Sequence, residues 1–379
     1  MKVLYVGADA QVCGAGFSMV RLVEELDKLG IDVVPVVHHG NSERLLSEKK
    51  INHYIVDAWS WSLSNQYSSG KRFLIMTVKK LLNIPCYFQY LKIIKKENPD
   101  IIHVNALTTY VIVQAALKMK KPVVWHIREM MEEDLNSSFW NKKEAYSLMK
   151  KADCLIAISQ CVENKYKMIV SEEKIKCIYN GIDVNRFLNF EHEILKSDKV
   201  LITMAGRITK SKGQLLCLKA LIPILQSNDN VILQFAGVGD ENEINEMIAL
   251  RNNAGLTEEQ VKLLGFVEDM ERLWSETDIA VVYSKFEAFG RVTVEAKMAG
   301  ALVVGYNSGG TTELIEDGVD GYLFDDSNML REIMNTVLAN RERTRQIAKR
   351  GREKATAVFT SEKNAAEVRK VYKEVLGGD

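Results

Sequence analysis

Two glutamates eight positions apart, Glu287 and Glu295, bracket a glycine and the start of a helical pattern in the stretch from Tyr283 to Gly300. An apolar strand pattern precedes them, and the helix is expected to begin near Gly290. The amides of Phe289, Gly290 and Arg291 at such a start make an anion site that needs no side-chain charge. Glu287 lies before the helix, where it can accept hydrogen bonds from hydroxyl groups. Glu295 lies about 7 Å further along, at about 1.5 Å per residue. The plainer reading is a helix-terminal acid plus a surface acid, but the frame of strand, glycine and helix argues for a site.

A second segment, Ala205-Gly206-Arg207 through Lys212-Gly213, ends a strand at a glycine and continues as a basic loop until Gln214 enters a helix. Arg207 and Lys212 can both reach anionic oxygens above that strand end. Taken alone, the segment reads equally well as a solvated basic loop. The turn from Asp9 to Ser18 carries Gly14 and Gly16 in a GxG arrangement without the full dinucleotide fingerprint. It offers either a close backbone approach to a ligand or a tight turn and nothing more. His126 ends an apolar strand pattern and is followed by Ile127, Arg128 and Glu129. A single histidine there also suits a structural place, and the two charges after it can face a ligand or each other.

These residues have to be positioned by alternating elements. Strand patterns run at 3–6, 33–37, 54–56, 101–104, 123–126 and 155–158, with helical patterns such as Phe17–Leu29 and Thr108–Lys118 between them. The series restarts at 200–205, 231–236, 262–267, 279–283 and 302–306. Strands alternating with helices imply parallel sheets covered on both faces. Two doubly wound units in succession place ligands at the carboxyl ends of their strands, in the crevice between them. The turn-rich and then charged stretch from 178 to 199 suits a linker. The expected domains are 1–185, 186–358 and a last helix, 359–379, whose apolar residues Val368, Val371, Tyr372, Val375 and Leu376 must be covered by something.

Composition agrees with a globular chain of two domains: 379 residues, 47% hydrophobic, 26% charged and five prolines. The net charge is zero, yet residues 1–190 hold 26 Lys and Arg against 20 Asp and Glu, and the remainder holds 24 against 30. Anionic partners are therefore expected for the first half. The six cysteines, Cys13, Cys86, Cys154, Cys161, Cys177 and Cys217, form no CxxC pair and read as reduced thiols. The first apolar run is too short for a secretory signal, and no run of 18 apolar residues occurs. The cytoplasm is the expected location.

Together, the segments Gly206–Gly213, Glu287–Glu295, Asn307–Glu313 and Asp317–Phe324 resemble the donor half of the family 4 retaining glycosyltransferases. The similarity is strong over residues 200–325 and looser in the first half. The resemblance implies the GT-B fold, two Rossmann-like domains with a carboxyl-terminal helix crossing back onto the first. It implies a nucleotide-sugar donor (UDP or GDP) and a glycan, lipid-linked or other acceptor, with surface polysaccharide synthesis as the setting. It gives Arg207 and Lys212 the diphosphate, Glu287 the donor-sugar hydroxyls and Glu295 the ribose. Gly16 lends an amide, and Gly265, Phe266 and Val267 meet the base. His126 stands among the catalytic residues as a positioning group beside the reacting sugar, not as a base. Arg128 and Glu129 are acceptor-side candidates, because this chain has Ile-Arg-Glu where some relatives have a simpler His-Asp. Retention follows from the resemblance alone.

No cofactor and no metal are expected, since two cations and a helix start can replace a metal. The nearest acidic dipeptide, Asp325-Asp326, reads as a helix cap. Nucleic acid is not an expected partner. A nucleotide-sugar epimerase, a phosphorylase, or a non-catalytic partner of another transferase would share the plan but explain the four donor residues less well. Finally, residues 58–96 contain no acid and seven Lys and Arg, interleaved with Trp59, Trp61, Phe73, Tyr87, Phe88 and Tyr90. That mixture suits an anionic membrane surface or a lipid-phosphate acceptor. It equally suits a long basic helix packed on its own domain with its lysines in solvent.

Overall fold

The computed structural model describes residues 1–7, 14–133, 135–188 and 193–378. The chain divides into two compact units: residues 1–181 with 361–379, and residues 182–360. In unit 1 the helices are α1 (Gly14–Lys28), α2 (Asn41–Glu48), α3 (Ser69–Glu97), α4 (Val111–Lys118), α5 (Lys142–Lys151) and α6 (Gln160–Tyr166). Its strands are β1 (Lys2–Val6), β2 (Asp32–Val37), β3 (Tyr54–Ile55), β4 (Ser62–Ser64), β5 (Ile101–Asn105), β6 (Val123–Ile127), β7 (Ser137–Phe139), β8 (Cys154–Ala157) and β9 (Ile175–Cys177).

Seven of these strands form a parallel sheet in the order β3-β2-β1-β5-β6-β8-β9, while β4 and β7 make a separate antiparallel pair. The order reverses between β1 and β5, where a doubly wound sheet opens its ligand crevice. The central strands β5, β6 and β8 are buried throughout, as continuous apolar runs in a covered parallel sheet should be. Three short strands, β4, β7 and β9, escape the sequence reading. Three residues are too few to show a period.

Unit 2 carries α7 (Asn185–Leu188), α8 (Gln214–Ser227), α9 (Glu241–Asn253), α10 (Met270–Ser275), α11 (Arg291–Ala299), α12 (Thr311–Leu314), α13 (Ser327–Ala339) and α14 (Arg341–Val358). Its parallel sheet runs β12 (Val261–Gly265), β11 (Val231–Ala236), β10 (Val200–Ala205), β13 (Ile279–Val282), β14 (Leu302–Tyr306) and β15 (Tyr322–Phe324). The reversal here falls between β10 and β13. Alternate residues of the sheet, among them Ile202, Met204, Leu233, Phe235, Val281 and Val304, pack with Leu218, Leu221 and Leu225 of α8.

Helix α15 (Ser361–Val375) belongs to unit 1. Its Ala365, Val368, Val371 and Tyr372 join Met19, Val23 and Leu26 of α1 in the unit 1 core. Burying four such side chains supplies the main reason for this docking, at about 1.5–3 kcal/mol for each large one. Leu376 departs from the expected stripe and stays exposed, because it follows the end of α15 and Gly377 turns left-handed at φ 74.

Candidate functional site

The residues singled out in unit 2 gather at the carboxyl ends of β10 and β13, on either side of the strand-order reversal. Beyond β10 the loop is braced by its own backbone. Ile208 donates to Val238 O at 3.0 Å, and the Gln214 amide reaches back to Arg207 O at 3.0 Å. Gly213 caps α8 at φ 80, and a Cβ there would lie 2.8 Å from Tyr283 O, so glycine is required on both counts. The fixed loop leaves Arg207 exposed and carries Lys212 to Glu287, Nζ to Oε1 at 2.7 Å.

On the β13 side, Gly290 stands before α11 at φ 98. Its carbonyl accepts from Thr293 and Val294 at 3.0 and 3.4 Å, starting the helix where the sequence places it. The first-turn amides of α11, that of Arg291 among them, therefore point out of the helix start. Phe289 is buried and meets Phe359 edge-on at 6.0 Å. Glu295 is buried and accepts from Arg291 Nε at 2.7 Å. Arg291 was expected to contribute its amide; its side chain has a further task, holding the carboxylate of Glu295 across one turn.

Beneath the Glu287–Phe289 loop lie Gly309 and Gly310, whose contact with it no local sequence signal reveals. Gly310 N donates to Glu287 O at 2.7 Å. A Cβ on Gly310 would come within 2.8 Å of Phe289 O and 2.9 Å of Ala288 O. Helix α11 is fixed further along by Lys297, whose Nζ reaches Asp320 Oδ1 at 2.6 Å and Leu314 O at 2.7 Å. Lys354 holds the other Asp320 oxygen at 2.6 Å. Burial pushes Lys297 down to about 8 against the pull of Asp320.

Gly265 ends the edge strand β12, and Phe266 and Val267 follow it. Gly265 O accepts from Gly237 N at 2.7 Å and Phe266 is exposed. Asp326 is a helix cap, accepting from the Asn328 and Met329 amides, and Asp325 accepts from Asn307. Among the described residues no group of three or more His, Cys, Asp or Glu is arranged to hold a metal ion. A groove of about 920 Å³ lies at the opposite, amino-terminal strand ends of unit 2, beside Lys199, Lys262 and Asp278. Its position is wrong for the ligand of a doubly wound sheet.

In unit 1, His126 and Arg128 lie at and just beyond the end of β6, and a polar cluster closes around them. Arg128 is buried, with Nε on Asn105 Oδ1 at 2.5 Å, Nη1 on Asn180 Oδ1 and Nη2 toward the Tyr5 hydroxyl at 3.4 Å. All three partners are neutral. Glu129 spends its carboxylate on backbone, accepting from Leu107 at 2.7 Å and from the Arg128 amide at 3.0 Å. It braces the turn after β5, where Ala106 adopts φ 78. Gly16 is buried in the first turn of α1; the Asp9–Cys13 part of the glycine turn lies outside the described residues.

His126 is fully buried, with Nδ1 at 3.3 Å from His103 Nε2, while His103 Nδ1 lies 2.6 Å from the Tyr372 hydroxyl. Burial, then the Arg128 charge, holds both histidines well below their ordinary range, so both are neutral. Burial raises Tyr372 well above its usual value, so its hydroxyl keeps its proton. Directed at His103 Nδ1, 2.6 Å away, that proton sets one of the two relays these contacts allow. Neutral His103 then carries hydrogen on Nε2 and donates to His126 Nδ1, which leaves His126 with Nε2–H. The Nε2 atom is buried and has no hydrogen-bond partner among the described residues. Tyr5 stacks on His103 at 4.2 Å and fixes its plane. Nothing local in the sequence signals this chain of contacts, because His103 and Tyr372 are 269 positions apart.

Residues 185–354 match the family model described as glycosyl transferases group 1, and residues 12–186 that of Glycosyltransferase Family 4. The N-acetyl-alpha-D-glucosaminyl L-malate synthase of Bacillus anthracis is 27% identical over 304 residues, 76% of this chain and 78% of its own length. The Escherichia coli UDP-Gal:alpha-D-GlcNAc-diphosphoundecaprenol alpha-1,3-galactosyltransferase is 24% identical over 273 residues, 66% of this chain and 67% of its own. The crystal structure of Anabaena HepE in complex with UDP and glucose matches with a TM-score of 0.79 at 23% identity, covering 98% of this chain and 99% of that one.

Proposed function

Because the chain belongs to the group 1, family 4 glycosyltransferases and has their GT-B fold, we propose that it moves a sugar, with retention, from a UDP- or GDP-sugar to a glycan or lipid-linked acceptor. One observation carries the reading. Two cations, Arg207 and Lys212, and the start of α11 stand on either side of the strand-order reversal of unit 2, with Glu287 and Glu295 flanking them. The diphosphate is held by Arg207, Lys212 and the amides at Phe289, Gly290 and Arg291. Charge that develops on the leaving nucleotide is stabilised by the same groups, which makes a bound metal unnecessary.

Glu287 accepts from donor-sugar hydroxyls, with Lys212 orienting its carboxylate. Glu295 accepts from the ribose, and Gly265, Phe266 and Val267 meet the base. In unit 1, Gly16 lends an amide, and His126, restricted to its Nε2–H form, donates to an oxygen of the sugar. A neutral donor suits that place better than a base. Arg128 serves the acceptor side, with Glu129 shaping the backbone beside it. The E. coli relative, named for UDP-Gal and a diphosphoundecaprenol acceptor, supports a nucleotide-sugar donor and a lipid-linked acceptor; surface polysaccharide synthesis is the proposed setting. No helix among the described residues is long and apolar enough to cross a membrane. A peripheral place on the inner face of the cell membrane fits that acceptor.

Calorimetry with UDP and GDP tests the donor site, and nucleotide release in a chelator, with and without acceptor lipid, tests the chemistry and the metal. Absence of affinity for either nucleotide would sink the reading. Binding without release on any acceptor would make the chain a non-catalytic partner. The anomeric configuration of the product, read by NMR, decides retention.

A further inference from the structure

Helix α3 is 29 residues long, about 43 Å at 1.5 Å per residue, and it packs on unit 1 with one face. Met76, Asn83, Cys86, Tyr90, Ile93 and Ile94 are buried at helical spacing. The sequence suggested that lysines would form the opposite face if the helix packed on its own domain. They do so only toward its carboxyl end. Over its first five turns the face opposite the core is apolar: Leu74 is 65% exposed, Leu81 62% and Phe88 56%, with Val78 and Pro85 between them. Phe73, Leu82 and Ile84 flank this ridge and are exposed as well. Successive ridge residues are three or four apart, which keeps them on one side of the helix.

The polar aromatic pattern of residues 58–96 is thus split by the fold. Trp61 is buried, stacked on Tyr110 at 4.5 Å, and Tyr90 is buried too, while Trp59 and Phe88 remain outside. A contiguous apolar ridge in solvent costs free energy unless something covers it. What surrounds the ridge indicates what that is. Lys71 stands at its start, Lys80 beside it, and Lys92, Lys95 and Lys96 continue its line toward the carboxyl end, all exposed. No acid occurs between residues 58 and 96. A groove of about 600 Å³ beside the ridge runs toward α4, lined by Ile84, Tyr87, Phe88, Tyr110 and Val111, with Gln114 and the Lys80–Glu144 pair on its polar side.

We propose that α3 lies in the plane of an anionic bilayer, its Leu74–Val78–Leu81–Pro85–Phe88 ridge among the acyl chains and its lysines on the lipid phosphates. An apolar stripe bordered by cations is the pattern of an interfacial helix, and each lysine near such a surface adds electrostatic attraction. The proposal rests on the peripheral location given above and goes beyond it: the attachment is by insertion of named side chains and not by surface charge alone. The bilayer, not a second protein, is the occupant because cations stand at both ends of the ridge, Lys71 and Lys80 along its first half and Lys92, Lys95 and Lys96 beyond Phe88, with no acid on the helix before Glu97.

The test is co-sedimentation of the full chain with phosphatidylglycerol vesicles and with phosphatidylcholine vesicles. The expected result is pelleting with the anionic vesicles. The triple variant Leu74→Ser, Leu81→Ser, Phe88→Ser should lose about tenfold or more of this partition, and salt alone should not release the unmodified chain fully. A separate Leu81→Trp variant should show indole fluorescence quenched by phosphatidylglycerol bearing brominated acyl chains. These side chains are exposed, so circular dichroism and UDP binding should be unchanged in both variants. Three results would each overturn the proposal: no pelleting, full pelleting of the triple variant, or unquenched Leu81→Trp on vesicles that do pellet. A dimer by light scattering that the triple variant converts to monomer would assign the ridge to a second copy instead. Because UDP affinity is measured separately, loss of the nucleotide reading would leave this result standing, and the reverse holds too.

Discussion

The charged groups of unit 2 and those of unit 1 solve the same problem in opposite ways. In unit 2 they stand on two loops and on the first turns of α11, part-buried to buried, and each acid there faces a cation: Glu287 with Lys212, Glu295 with Arg291. In unit 1 a guanidinium and two histidines are buried with no carboxylate salt-bridge partner among the described residues, and neutral groups from four separate segments hold them. A cation paired with a carboxylate can take a ligand anion in its place. Buried neutral partners fix one geometry and one tautomer. The contrast is between charged groups paired with one another and polar groups fixed by neutral partners.

The comparison breaks most visibly at Arg207 and Lys212. Replacing either with Ala should lower turnover about a hundredfold or more, about 3 kcal/mol of lost leaving-group stabilisation, with the melting temperature almost unchanged. Near-normal turnover in either variant would remove that residue from the mechanism. Acid should act on unit 1 instead. His103 and His126 have folded values well below the unfolded one, so the unfolded chain binds protons that the folded chain refuses. Stability is intact above about pH 6.5 and falls as the pH drops below it, by about 1.4 kcal/mol per pH unit for each histidine. Hydrogen exchange should show unit 1 opening first, and His103→Gln should flatten the slope. Equal acid sensitivity in that variant would show that the histidines do not control it.

Gly310→Ala sharpens the unit 2 side. The added methyl meets two carbonyl oxygens, at about 2 kcal/mol for an overpacked site, and shifts the loop bearing Glu287. A tenfold rise in the sugar-donor KM is expected with UDP affinity kept; loss of both would mean that the whole domain had moved. Smallest is Tyr372→Phe, about 1 kcal/mol for the lost hydrogen bond. It frees His103 to choose either tautomer, so 15N NMR should show His126 as a mixture and turnover should drop only several-fold. A single unchanged His126 tautomer would disconnect α15 from the site.

The two regions differ as much in how far the sequence discloses them. Glu287, Gly290 and Glu295 fall within nine residues, and strand, turn and helix signals fix their order and spacing locally. The two sheets, their parallel strands and the burial of Val368, Val371 and Tyr372 follow from apolar periodicity. Beneath that loop, the support from Gly309 and Gly310 comes from a different strand end, so their presence is legible but their contact is not. Around His126, the partners Tyr5, Asn105, His103, Asn180 and Tyr372 come from β1, β5, the chain after β9 and α15. No period or spacing in the sequence joins them.

The sequence by itself determined the alternation of elements, the carboxyl-end loops and the residue types those loops carry, because helix starts, glycine turns and apolar periods act over a few residues. The tertiary structure alone decided which lysine faces which glutamate, which groups surround His126, and which face of α3 stays uncovered. Each of these depends on groups brought together by sheet order and helix docking, and the free energy of burial that drives both is a property of the assembled layers.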